Sequence, residues 1–198
     1  MLIRATKVLL ASKSPRRRKL MLRILPPEKI IFVDSDVQEK RRNGERVEAF
    51  CMRMAKDKVT TAWGKYEGRR SDIAAAVGAD TVVLLKNQII GKPEDSGDAI
   101  RILKQLSGQC HEVITGVAVL FPRLGRFTTF IVKSKVWMHK LSVEAIEDYV
   151  ATGEPLDKAG AYAIQGKGKH LVARYEGSYS NIVGLPINEL RKVLNRLR

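Results

Sequence analysis

The sequence predicts an α/β fold around a mixed β-sheet, and two features of its 198 residues carry that prediction. Strand-like and helical patterns alternate through the first half, the order that builds parallel strands with covering helices. A long pair of apolar-rich strands at residues 112–121 and 126–139 follows, joined through Pro122 and Gly125, which adds antiparallel pairing. The length suits one domain, residues 1–198, or two small lobes. Hydrophobic residues at 44% against 29% charged exclude a disordered chain and leave enough for a sizeable core.

Each element has its own signal. Val8-Leu9-Leu10, within residues 7–11, is a short apolar run of the kind that forms a buried strand. Ser14 offers a side-chain oxygen at an N-cap position and Pro15 the fixed φ of a first helical residue. A helix is therefore expected from Pro15 to about Leu25, with Leu20, Leu22 and Ile24 inward. Pro26-Pro27 breaks it, residues 30–35 read as the next strand, and residues 34–44 are polar and turn-prone. Over residues 47–63, Val47, Phe50, Met54 and Val59 stand among many Lys and Arg, an amphipathic helix. Residues 73–78 and 81–85 are strand-like, interrupted at Ala79-Asp80, and Lys86-Asn87-Gln88 reads as a hairpin turn into Ile89-Ile90.

Asp95-Ser96 begins a helix with Ile100, Leu103 and Leu106 inward and Gly108 past its end. Ser142 caps a helix over residues 143–150, with Glu144 in the first turn, and Gly153 ends it. The glycine-rich stretch 153–184 holds one short strand at 171–175. Pro186 opens a last helix with Leu190, Val193, Leu194 and Leu197 inward and Arg191, Lys192 and Arg196 outward.

Lys and Arg number 36 against 21 Asp and Glu, a formal charge of +15, which favours an anionic partner. A dedicated nucleic-acid module more often pairs its charge with stacking aromatics, and here Phe, Trp and Tyr make up only 6%. The basic residues are also scattered, so no specific nucleic-acid binding is expected, and a non-catalytic basic nucleic-acid-binding protein stands as the competing class. Cys51 and Cys110 are far apart, with no C-x-x-C and no companion histidines, and read as two buried thiols in a reducing compartment. The apolar run at the N-terminus is too short for a secretory signal and no stretch reaches membrane-span length. The expectation is a cytoplasmic protein with no membrane partner.

Residues 10–17, L-A-S-K-S-P-R-R, are the most informative stretch of the chain. A strand that turns straight into a helix leaves backbone N–H groups at the helix start, where a phosphate can sit. Arg16 and Arg17 lie in that first turn, where cations oppose the helix dipole and lower stability unless an anion is expected. Gly78-Ala79-Asp80-Thr81 puts a carboxylate at a break between strand-like runs, and Gly91-Lys92-Pro93 holds a lysine between two backbone-restricting residues. Taken singly, both have a plain explanation in local turn chemistry. Asp34, Asp36 and Glu39 fall within six residues, normally a solvated loop but also a source of oxygen ligands for a cation such as Mg²⁺.

Residues 157–168 tempt a phosphate-loop reading and fail it. Gly160 and Gly166 are one residue too far apart for a Walker A loop, and Gly168 follows Lys167 where Ser or Thr is needed. His111, His139 and His170 are scattered, and His111, between Cys110 and Glu112, reads as structural. The absence of G-x-S-x-G leaves metal-free nucleophilic catalysis poorly supported.

Together these segments resemble the Maf family of nucleoside triphosphate pyrophosphatases over residues 10–186. The likeness runs through Leu10-Ala-Ser-Lys-Ser-Pro-Arg-Arg17, Gly78-Ala-Asp-Thr-Val-Val83, Gly91-Lys-Pro93, Leu106-Ser-Gly108 and His111-Glu-Val-Ile-Thr-Gly-Val117. It continues through Glu154-Pro155, Asp157-Lys-Ala-Gly-Ala-Tyr162, Ile164-Gln-Gly166 and Gly184-Leu-Pro186, in the family's order. The resemblance implies a Maf or ITPase-like fold: a mixed twisted sheet flanked by helices, in two lobes with a nucleotide-binding cleft. It also implies a divalent metal cation (Mg²⁺ or Mn²⁺), a homodimer, and hydrolysis of a nucleoside triphosphate with release of pyrophosphate. The S-P-R-R and I-Q-G forms resemble the branch acting on dTTP and UTP rather than the sister branch acting on methylated GTP. A pyrophosphatase for other non-canonical nucleotides is the alternative. Gln38 precedes Glu39 where relatives often have two acids, which bears on the metal-ligand count.

The resemblance also implies roles. Arg16 and Arg17 can fork onto phosphate oxygens, and Lys92 can act as a point charge. Lys58, in Met54-Ala-Lys-Asp-Lys58, matches a family lysine that can reach the same anion, and Ser12 and Ser14 can donate hydroxyl hydrogen bonds. Asp80 is the expected general base. An aspartate of ordinary pKa, about 3.9, is a poor base for free water, so a metal is called for, with Glu39 and Asp80 as its ligands. Gln165 presents both a donor and an acceptor, matching the O4 and N3–H edge of uracil or thymine.

Overall fold

The structure is a computed structural model and describes residues 7–195. Leu197 and Arg196, assigned above to opposite faces of the last helix, lie outside the described residues. The strands are β1 (Lys7–Ala11), β2 (Ile30–Val33), β3 (Ile73–Leu85), β4 (Gln88–Ile90), β5 (Cys110–Phe121), β6 (Arg126–Met138) and β7 (Val172–Glu176). The helices are α1 (Pro15–Met21), α2 (Val47–Lys65), α3 (Ser96–Leu106), α4 (Val143–Ala151), α5 (Tyr179–Val183) and α6 (Ile187–Asn195), with short 3-10 turns between several of them. Among the described residues no helix is long and apolar enough to cross a membrane.

The strands form one seven-stranded sheet in the order β2-β1-β3-β5-β6-β7, with β4 paired on β3. It is mixed, as expected: β1 runs parallel to both neighbours, with Leu10 opposite Phe32 and Val77, while β4 is antiparallel to β3 and β7 to β6. β1 is covered on both sides, and its Val8, Leu9, Leu10 and Ala11 are all buried, which explains an unbroken apolar run in place of an alternating one.

The chain divides into two compact units. One takes in the chain up to Asp80, Thr115–Val132 and the chain from Gly184. Its core groups Leu9, Ala11, Ala55, Val59, Ile73 and Ala76 where α2 lies on the sheet. Two glycines set how close that helix comes. A Cβ on Gly78 would stand 2.6 Å from the Ala55 carbonyl oxygen, and one on Gly116 would stand 2.5 Å from the Cys51 carbonyl carbon. The other unit, Thr81–Ile114 and Lys133–Val183, packs Ile102, Leu103 and Leu106 of α3 and Ile146 and Tyr149 of α4 against Val113 and Val136 of the sheet.

Several local expectations hold. The Ser14 hydroxyl caps α1, Asp95 caps α3 by accepting from the Asp98 N–H at 2.7 Å, and Ser142 caps α4 by accepting from Ala145 at 3.2 Å. Lys86 and Asn87 both take positive φ (46° and 66°), the two-residue turn whose twist suits a hairpin. Others are corrected. The helix from Pro15 stops at Met21, so Leu22 is 42% exposed and Met21 takes the buried place. Ala79-Asp80 does not interrupt a strand: β3 runs through it. Cys51 is buried but Cys110 is exposed. The short helix α5 inside the glycine-rich stretch has no counterpart in the sequence reading. Its Asn181 side-chain amide is buried and donates to the Val113 carbonyl at 3.0 Å and to Ser134 Oγ at 2.9 Å.

Candidate active site

The loop from β1 into α1 is built by its own serines. Ser12 Oγ accepts from the Ser14 N–H at 3.2 Å, and Ser14 Oγ accepts from the Arg17 N–H at 3.4 Å. Arg16 and Arg17 thus stand in the first turn of α1, where α1 contains no acid to offset them. Arg17 is half-buried and its Nε donates to the Gly184 carbonyl at 2.7 Å. Burial pushes its pKa down, the negative charges of Asp80 and Glu39 push it back up, and neighbouring Arg16 pushes it down. Arg17 and the two carboxylates therefore feel one another's field.

Those carboxylates share a single ammonium. Lys58 Nζ donates to Glu39 Oε1 at 2.6 Å and to Asp80 Oδ1 at 2.6 Å. Lys58 is 8% exposed and Asp80 only 4%. The geometry follows from packing. Gly78 admits α2 against β3, and Asp80, two residues further along the strand, then comes within reach of a lysine one turn beyond Ala55. A buried carboxylate requires such a partner, because desolvating an unpaired charge is far more costly. This pairing is what allows Asp80 to sit inside a strand.

The acidic loop after β2 is fastened residue by residue. Asp34 pairs with Arg18 at 2.6 Å, Asp36 with Lys13 at 2.7 Å, and Glu39 with Lys58. Arg18 also donates to the Ser12 carbonyl and lies over the Phe32 ring, while Ser35 Oγ donates to the Ala11 carbonyl at 3.3 Å. Lys13, Arg18, Asp34 and Asp36 were not singled out as a set by the sequence; the acid clustering was visible, but not which cation each acid would meet. Further along the loop, Glu45 forks onto Arg53 with both oxygens at 2.7 Å and its pKa is held down to about 2, chiefly by that hydrogen bond.

Lys92 and Gln165 belong to the second unit. Lys92 is exposed just after β4, on a segment whose Gly91 carbonyl accepts from the Gly160 N–H at 2.9 Å. Gln165 is half-buried ahead of Gly166, which takes a φ of +67°. The loop carrying it is held from below at three points. Tyr149 OH accepts from the Ala163 N–H at 3.1 Å, and Glu154 Oε2 from the Gly168 N–H at 3.0 Å. Tyr162 OH meets His111 Nε2 at 2.8 Å, both side chains buried, which gives His111 the structural part expected of it. Glu154 and Tyr149 are supports that the sequence named only within longer segments.

The family described as Maf-like protein matches residues 7–197. This chain belongs to the Maf family. Curated relatives match along nearly their whole length. A protein of Dictyoglomus turgidum is 47% identical over 191 residues, covering 96% of this chain and 95% of its own. One of Geobacter sulfurreducens is 44% identical over 193 residues, covering 96% of each chain, and one of Dictyoglomus thermophilum is 44% identical over 191 residues with the same coverage. Each bears the name dTTP/UTP pyrophosphatase.

Among the described residues of this Maf chain, no group of three or more His, Cys, Asp or Glu side chains is gathered to hold a metal. Glu39 and Asp80 are nevertheless close enough to bind one cation jointly, as the shared ammonium demonstrates. Two carboxylates suit Mg²⁺ or Mn²⁺ where substrate phosphates and water complete the shell, and do not suit a cation that needs an all-protein cage.

Proposed function

We propose that this chain hydrolyses dTTP and UTP to the monophosphate and pyrophosphate by attack of water on the α-phosphorus. The observation that carries the reading is the Lys58 ammonium shared by Glu39 and Asp80, with Arg17 at the start of α1 within the field of both carboxylates. The names of the relatives support the choice of substrate. A triphosphate is tetra-anionic, and Arg16 and Arg17 offer it positive charge and guanidinium donors. Ser12 and Ser14 add hydroxyls, and Lys92 is assigned the part of a point charge.

In this reading Glu39 and Asp80 hold the divalent cation, which when bound supplies positive charge at the α-phosphate and acidity to the water. Asp80 accepts the proton of the attacking water. The new P–O bond forms as the α–β bridging bond breaks, and the leaving oxygen departs with pyrophosphate. Lys58 holds both carboxylates until substrate arrives, and Gln165 reads the O4 and N3–H edge of the pyrimidine through its own acceptor and donor. The enzyme would work in the cytoplasm as a homodimer, which sedimentation of the purified chain checks. Chromatography of the products from dTTP and Mg²⁺ tests the chemistry: dTMP with pyrophosphate is expected, and dTDP with phosphate would refute attack at the α-phosphorus.

A further inference from the structure

The two carboxylates offered to a divalent cation are already bound to a cation, the Lys58 ammonium, at 2.6 Å each. Local charge governs whether a second cation can join them. Lys58 pairs with both carboxylates and Arg17 lies within their field, so two positive charges already answer the two negative ones before anything binds. Adding a dication alone would place it against Lys58 and within the field of Arg17; Glu39 is exposed, but Lys58 and Asp80 are more than nine-tenths buried, and on that side water screens poorly. Adding a tetra-anionic triphosphate first reverses the balance. The arginines gain phosphate oxygens, the local charge turns negative, and the lysine gains an alternative anion to which its flexible stem can swing.

We propose that Lys58 is an internal counter-cation that keeps divalent metal out of the Glu39–Asp80 pair until the triphosphate is bound. This rests on the reading of Glu39 and Asp80 as metal ligands. Lys58 thereby has two positions: on the carboxylates in the free protein, and on the substrate once metal enters. The two positions fix the order of binding, with metal arriving together with the nucleotide or after it. The same ammonium compensates the buried Asp80 charge, so that the free protein tolerates two neighbouring carboxylates without a metal.

Binding measured without turnover tests this. Mn²⁺ added to the purified full chain in the absence of nucleotide, and followed by electron paramagnetic resonance of free Mn²⁺, should bind Lys58→Met at least ten times more tightly than the unaltered protein. Glu39→Gln added to Lys58→Met should remove that gain. Equal affinities, or a gain that survives Glu39→Gln, would overturn the proposal. Because Lys58→Met strips compensation from a buried carboxylate, a second measurement uses the unaltered chain. The ¹³Cε signal of Lys58 should stay in place when 1 mM Mg²⁺ is added alone. It should move when Mg²⁺ is added to the complex with the non-hydrolysable α,β-imido analogue of dTTP. A shift with Mg²⁺ alone, or none with both, would overturn it. Neither measurement reads hydrolysis, so a protein inactive on dTTP can still satisfy the proposal, and an active one can fail it.

Discussion

Lys58 and Asp80, 22 positions apart, meet at 2.6 Å as a buried ion pair joining α2 to β3. Neither residue belongs beside the other by any local rule. They meet because Gly78 lets the helix backbone come down onto the strand, and the pair in turn makes a charged residue tolerable in the middle of that strand. Glu39, reached by the same ammonium, ties the acidic loop into the arrangement.

Asp80→Asn should lower kcat for dTTP by at least ~10²-fold while leaving nucleotide binding largely intact, since general-base catalysis supplies ~10²–10⁴-fold and the amide keeps the shape. Lys58 retains Glu39 as a partner in that variant, so the fold should persist. Steady-state kinetics with equilibrium binding of the α,β-imido analogue decide it. A variant keeping more than about a tenth of the parent kcat would exclude Asp80 as the base.

Gln165→Ala should reduce kcat/KM for dTTP more than for GTP. A hydrogen-bonding site selects mainly through the unpaired groups left when the wrong partner enters. The quantity is a ratio, so general damage to the loop does not imitate it. Equal losses on both substrates would assign base selection elsewhere and leave Gln165 as part of the loop framework built on Tyr149, Glu154 and Tyr162.

His111 should make the protein labile to acid. Burial lowers its pKa from 6.5 to about 4, because the charged imidazolium is poorly solvated where the ring sits. The folded state therefore favours the neutral ring, and that contribution is complete above pH 6.5 and lost as pH falls toward about 4. His111→Phe should flatten the fall of Tm across this window. At neutral pH, where the ring is uncharged in both states, it should lower Tm, because the buried Tyr162 hydroxyl loses its partner at a cost of about 1–3 kcal/mol. Parallel Tm curves for the two proteins would place the acid sensitivity in other groups.

Gly78→Ala should destabilise the protein by roughly 1–3 kcal/mol through overpacking and also reduce kcat. The new methyl would stand 2.6 Å from the Ala55 carbonyl oxygen and 2.8 Å from a Val59 methyl, so α2 must retreat and carry Lys58 away from Asp80. Gly64→Ala is the control, since nothing lies within 4 Å of a Cβ there. It should stabilise α2 by about 0.5–1 kcal/mol. Urea denaturation of both variants, alongside kcat, separates the effects; a Gly78→Ala protein as stable and active as the parent would show that the close approach is not required.

The features that could be read without a structure are those decided within a few residues. Ser14 and Pro15 start α1 because a cap oxygen and a fixed φ act on the next turn of backbone, and Asp95 and Ser142 do the same for α3 and α4. Lys86-Asn87 turns because both residues hold positive φ in the tight hairpin. The unbroken apolar run of β1 announces a strand with neighbours on both sides. The residues of the candidate site were legible as well, through short segments in a set order. Their pairing was not. Asp80 looked like a strand break because aspartate disfavours strands, and only a lysine delivered by a distant helix reverses that preference. The three acids of the loop after β2 looked alike, yet Arg18, Lys13 and Lys58 each take a different one. Leu22 looked inward until α1 ended one residue earlier, and α5 depends on the buried contacts of Asn181 with β5 and β6. Backbone preference acts over one or two turns of chain and is written locally; which charges meet depends on how closely α2 rests on the sheet, and that only packing decides.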